Sequence, residues 1–383
     1  MPLERVDWVD HAKGACIILI VALFSTQGFS ASGLHSGWMD LVMRWAHPFL
    51  MPAFFSLAAL FLNRTLFGPS RYYIDRKILH FVYFYAVWLI LQDVVLNSEL
   101  LLSAPHIFLG NLLNALIEPR DSLLLVYMLT VFHTVTWFLR RVPARKVFGA
   151  AAILQMGFAT GWIDTGSLVL NELGRWYVFF FAGFVAAPVI FEMAERVAGH
   201  SAQTWRVLIG WAVANAAFVG LHVAGLPLIS LALGFAGTGA MIAFGLMLSR
   251  VKWLSIIGYA GRHCLIIYLT CAIPVTLMQR GLMAKGEIDH AGLTIMATAL
   301  AGVALSLAFH RLVRRTPLNV LYRRPMRLRI KSVRFSHSSA LLPPPPTAAY
   351  TYLARCQTIK GSKAPVSAAF CNWAIWSETT FLA

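Results

Sequence analysis

The chain has 383 residues, 58% of them hydrophobic and only 13% charged. A soluble domain carries about 25% charged residues, so the composition excludes an ordinary water-soluble protein and points to an integral membrane protein. The formal charge of +16 is no nucleic-acid signature, because it is concentrated at one end: from Arg311 onward 12 Lys and Arg face one acid, Glu378, while the preceding residues hold 20 bases and 15 acids. An apolar body beside a basic flank is the pattern of a membrane protein with a cytoplasmic basic end, and no nucleic-acid partner is expected. Cys16, Cys264, Cys271, Cys356 and Cys371 show neither CxxC nor Cys/His ligand spacing, so neither a disulfide framework nor a metal centre is predicted.

A spanning helix needs about 20 mostly apolar residues. Ten such runs predict an all-α membrane protein with about ten transmembrane helices: 14–29, 39–62, 78–96, 122–139, 147–163, 176–191, 205–223, 226–248, 264–278 and 291–309. The ninth is short unless 256–261 belong to it. The first run lacks a clear small-residue cleavage site and reads as a retained helix rather than a signal peptide. Bases alternate between loops: Arg64, Arg71, Arg76 and Lys77, then Arg140, Arg141, Arg145 and Lys146, then Arg196, then Arg250 and Lys252, on the side of Arg5, Lys13 and the carboxyl flank. The opposite loops hold only Arg120, Arg175, Arg280 and Lys285. The positive-inside bias therefore puts both termini in the cytoplasm. Residues 97–120 read as an amphipathic stretch on the outer membrane surface. After Arg334 the pattern changes; a four-proline run, Pro343–Pro346, opens a stretch without period. Residues 1–330 are thus expected to form the membrane domain and 331–383 a disordered basic, proline-containing tail.

Charged groups at or inside a span are costly and are functional candidates. The segment Arg5-Val-Asp-Trp-Val-Asp-His-Ala-Lys-Gly14 puts Asp10 and Lys13 three apart on one helical face, with Asp7 a turn earlier. It reads either as a donor-binding constellation or as an interfacial anchor. Arg76 and Lys77, in Tyr73-Ile-Asp-Arg-Lys, are suited to phosphate groups, and as bases at a helix end they also fit the positive-inside bias. His47, His133, His222 and His263 lie in apolar surroundings, where a His is either a general base or a hydrogen-bonded structural group. HExxH, GxSxG and phosphate-loop patterns are missing.

Six segments, in order, resemble landmarks of the membrane-bound acyltransferase-3 family: the residue 5–14 segment, His47-Pro-Phe-Leu-Met-Pro-Ala-Phe-Phe, Tyr73-Ile-Asp-Arg-Lys, Gly174-Arg-Trp-Tyr-Val-Phe-Phe-Phe-Ala-Gly183, Gly258-Tyr-Ala-Gly-Arg-His263 with Tyr268, and Pro317-Leu-Asn-Val-Leu. The resemblance runs from residue 3 to about 330. It implies an enzyme of a bacterial-type inner membrane that moves an acyl group, acetyl first among them, from acyl-CoA to a hydroxyl of a sugar or lipid-linked acceptor. Lys13, Arg76 and Lys77 would then meet the donor's negative groups. In that family a basic residue of the first helix is followed eleven positions later by the His assigned as catalytic base; here that position is Phe24. Phenylalanine cannot accept a proton, and general-base catalysis contributes about 10²–10⁴-fold. His11 and His47 are the nearest replacements. The family's paired arginines of the second helix are His47 and Leu50 here, and its fourth-helix entry is Arg120-Asp-Ser-Leu-Leu-Leu. Three readings stay open: an acyltransferase with a replaced base, a catalytically silent relative on the same scaffold, and a transporter, for which no repeated pair of broken helices is visible.

Overall fold

The computed structural model describes residues 6–33, 35–284, 290–325 and 328–329. Arg5, Lys285 and the tail expected over 331–383 lie outside the described residues. Among those described the chain is all helix, without a strand.

Each of the ten apolar runs is a helix. We number the long helices α1 (Asp7–Ala31), α2 (Trp38–Ala59), α3 (Leu79–Leu96), α4 (Leu124–Leu139), α5 (Ala144–Ala159), α6 (Leu168–Ala198), α7 (Ser201–Gly220), α8 (Pro227–Leu248), α9 (Ser255–Arg262), α10 (Cys264–Met283) and α11 (Ala291–Val313). By length and composition seven are apolar enough to cross a membrane: α1, α3 with the turns that precede it, α4 with its entry turn, α6, α8, α10 and α11. The other three runs are α2, whose first turns carry Asp40 and Arg44; the 16-residue α5; and α7. The ninth run divides: α9 is a separate short helix, broken from α10 at His263. The stretch expected to lie on the membrane surface is two short helices, Ser98–Ser103 and Pro105–Asn114, with Leu102, Ile107, Leu109 and Leu113 exposed and Phe108 buried.

Helix α1 sits at the centre and packs against α2, α8, α9, α10 and α11. A helix apolar all round belongs in a core, and α1 is rich in small residues (Ala12, Gly14, Ala15, Cys16, Ala22) that let neighbouring backbones approach. The approach to α9 is the tightest. A Cβ on Gly14 would meet Ile257 O at 1.9 Å, and one on Gly261 would meet Asp10 O at 1.7 Å. Only glycine fits at either crossing point. Helices α2, α5 and α8 pack on α6 or on one another, and α4 bridges α3 and α6. Trp45 Nε1 donates to Ala212 O at 3.1 Å and Asn215 Nδ2 donates to Trp45 O at 2.8 Å, which fastens α7 to α2.

Candidate functional site

The first turns of α1 carry the polar segment into the bundle. Lys13 is only 6% exposed, and its ammonium lies 4.7 Å from the centre of the Phe61 ring. Asp10, Cys264 and Lys77 are its electrostatic neighbours. An interfacial anchor that snorkels would leave the ammonium in solvent; Lys13 is instead enclosed. His11 is buried beside it. Its Nδ1 lies 2.7 Å from Asp7 O, and its ring is pressed against Gly258, where an added Cβ would meet the imidazole at 2.7 Å.

Arg76 and Lys77 lie on a single π-helical turn, Ile74–Ile78, that leads into α3. Such turns are rare and concentrate at functional sites. The Arg76 guanidinium sits 5.4 Å from the Tyr72 ring centre. Lys77 is an electrostatic neighbour of both Lys13 and His80, which connects the turn with the start of α1. The structure thus brings Lys13, Arg76 and Lys77 to one end of the bundle.

Phe24 lies eleven residues beyond Lys13, three turns on and close to the same face of the helix, about 16 Å along the axis. It is half-buried and lines a cavity of about 420 Å³ with Leu96, Pro119, Arg120, Asp121, Ser122, Ala272 and Thr276. Two of the positions singled out in the sequence, Phe24 and the Arg120-Asp-Ser entry to α4, therefore face each other across one space. Its walls are fixed by buried polar contacts. Arg120 pairs with buried Asp93 through Nε at 2.8 Å and Nη2 at 3.0 Å. Ser122 Oγ donates to Gln92 Oε1 at 2.8 Å, and Gln92 Nε2 donates to Leu269 O at 2.9 Å. The backbone N–H of Leu125 donates to the Tyr268 hydroxyl at 3.0 Å. With Arg120 committed to Asp93, Asp121 is the lining residue that presents a carboxylate, a group able to accept a hydrogen bond from a hydroxyl.

The candidate histidines lie elsewhere. His11 is at the opposite end of α1, and His47 is exposed on α2 with Arg175 as its charged neighbour; neither lines the cavity. His133 is structural: Nδ1 is 2.5 Å from Leu129 O, and the ring packs between Phe81 and Phe180. His222 takes a left-handed φ of 57° in the turn after α7. His263 sits at the α9–α10 break with Nδ1 2.9 Å from Tyr259 O. Among the described residues no group of three or more His, Cys, Asp or Glu side chains is placed to hold a metal ion. The roles of Asp93 and Gln92 escaped sequence reading, though a carboxylate and an amide inside an apolar run were the signal for them.

Outside the spans, in the loop before α6, the Gly166 N–H and the Asn171 side-chain amide hold the Asp164 carboxyl below the usual carboxylate range.

A family model described as an acyltransferase domain matches residues 6–311. No curated protein and no solved structure gave a match.

Proposed function

Since the chain belongs to the acyltransferase-3 family, we propose that it is a membrane-bound enzyme that transfers an acyl group, acetyl first among the candidates, from acyl-CoA to a hydroxyl of a sugar or lipid-linked acceptor. In this reading it works in a bacterial-type inner membrane, with ten spans and both termini cytoplasmic, so that its basic loops and Lys13 share the donor's side. One observation carries the proposal: a lysine enclosed near the start of α1 stands three turns before a cavity lined by the same helix.

Lys13, Arg76 and Lys77 bind the negative groups of the donor. An ammonium or guanidinium on phosphate makes charge-assisted hydrogen bonds, about twice as strong as neutral ones. The acceptor hydroxyl enters the outer cavity beside Phe24. Asp121 takes its proton there, the hydroxyl oxygen attacks the thioester carbonyl, and the C–S bond breaks to release CoA, whose sulfur recovers the proton. Arg120, pinned by Asp93, holds the rim of that cavity in place.

The second reading, a catalytically silent relative, is favoured by one specific observation: the cavity is lined by the Phe24 ring at the position where the resemblance implies a His base. Membranes containing the protein, supplied with acetyl-CoA and assayed for thiol release, separate the two. The enzyme reading expects release above that of Lys13→Gln membranes by about tenfold or more, the loss that removing one charged contact of about 1.5–3 kcal/mol produces. Equal release from both would leave the silent relative.

A further inference from the structure

The residues beyond the matched domain turn back as a strap over the end of the bundle where α1 begins. A short 3₁₀ turn, Pro317–Leu321, follows α11 and places its carbonyls over α3: Tyr83 OH donates to Val320 O at 2.8 Å and Trp88 Nε1 donates to Leu321 O at 3.0 Å. Tyr322 is buried next to it, with its hydroxyl 2.7 Å from Thr270 Oγ1 of α10 and its ring against those of Trp88 and His310. Burial pushes that hydroxyl up to about 12, so it remains a neutral hydrogen-bonding group at physiological pH.

The strap ends on a charge. Arg324 has a side chain only 4% exposed, paired with Asp75, itself 12% exposed. Its Nη1 donates to the Asp75 carbonyl at 2.8 Å, its Nη2 bonds the Asp75 carboxylate, and the same Nη2 donates to Leu328 O at 2.6 Å. One guanidinium thereby grips both the side chain and the main chain of Asp75. Asp75 belongs to the π-helical turn that carries Arg76 and Lys77. A buried ion pair adds little net stability, because desolvation offsets its Coulomb energy; its better-attested use is to fix one arrangement among several. The position of this pair matters for a second reason. Arg76, Lys77, Arg324 and Arg329 are all charged neighbours of His80, so the strap adds two cations to the two on the turn while its Arg324 pairs with the Asp75 carboxylate.

We propose that the strap is a positioning device for the donor site, in which Arg324, by holding Asp75, sets the turn that presents Arg76 and Lys77 to the phosphate groups of a nucleotide-type donor. The inference rests on the donor reading above. Arg324 is a positioning residue; the contact with phosphate is made by the turn.

The test is a binding cycle on the full chain in nanodiscs of phosphatidylcholine alone, so that no anionic headgroup competes. CoA affinity is measured for wild type, R324Q, R76Q/K77Q and the three changes together, with thermal midpoints recorded alongside. R324Q is expected to weaken CoA binding by about tenfold in the wild-type background and by less than about twofold once Arg76 and Lys77 are gone, because residues acting through one another are not additive. R324K keeps the charge but loses the fork that holds two atoms of Asp75; it is expected to bind as weakly as R324Q, and it carries the same cycle if R324Q fails to fold. Equal losses in both backgrounds, unchanged affinity in R324Q, or full rescue by Lys would each overturn the positioning role. A folded wild type that does not bind CoA would overturn the donor reading, and the strap's role with it.

Discussion

Asp93 is a buried carboxylate with Arg120 and Asn97 as its hydrogen-bonding partners. Removing one member of a buried pair leaves an uncompensated charge, at a cost of about 3–5 kcal/mol. The Arg120 side chain is 37% exposed, which lets water reach the orphaned carboxylate and moves the expected cost to the lower end of that range. Arg120→Ala should therefore lower the thermal midpoint in detergent markedly, and adding Asp93→Asn should recover much of the loss, since the second change removes the stranded charge. A destabilisation unchanged by the second substitution would mean that Arg120 acts by packing alone. At this scale the sequence was readable where a charge broke an apolar pattern: Lys13, Arg76 and Lys77 are gathered at one end. It was less readable for histidines. His47, His133 and His263 look alike in sequence, and only their partners, from Leu129 O to Tyr259 O, tell structure from chemistry.

Between elements, the decisive contact is the crossing of α1 and α9. Their backbones touch at Gly14 and Gly261, and the atoms in the way of a Cβ are carbonyls, which cannot swing aside as a side-chain tip would. Overpacking usually costs about 1–3 kcal/mol. Gly261→Ala should reach or exceed the upper end, and it should also displace Asp10 and the Lys13 segment. Gly239→Ala on α8 is the matched control: nothing lies within 4 Å of its Cβ, so the change should be neutral or stabilise by up to about 1 kcal/mol through helix propensity. Thermal unfolding of the two variants side by side decides, and equal midpoints would contradict the crossing. Element existence was legible in the apolar runs, but element ends were not. Helix α1 begins at Asp7, before the apolar run, because Asp7, Asp10, His11 and Lys13 are polar residues of a helix that continues into the bundle. The break at His263 was marked in the sequence: Arg262 and His263 make the entry to the ninth run polar, and without 256–261 that run is short.

Across the whole molecule, α1 joins two ends of different chemistry. Cations gather at its start, and a cavity with one carboxylate opens three turns later. The two ends were legible separately, as a polar segment and as a departure at Phe24. Their joining was not: Phe24, Asp121 and Thr276 meet only through packing, and the pair of Arg324 with Asp75 closes a separation of 249 residues that no local pattern encodes.

If chemistry takes place in the cavity beside Phe24, Asp121 acts there as a weak substitute for the His expected at that position. Initial rates of acetyl transfer from acetyl-CoA, measured in membranes for wild type, Asp121→Asn and Phe24→His, test it directly. His is smaller than Phe and borders the cavity, so the substitution should be tolerated at about 1–3 kcal/mol. The expected result is a slow wild type, loss of transfer in Asp121→Asn, and a gain in Phe24→His toward the about 10²–10⁴-fold that a positioned base supplies. Fast wild-type transfer that is indifferent to both substitutions would contradict it and place the reaction elsewhere in the protein.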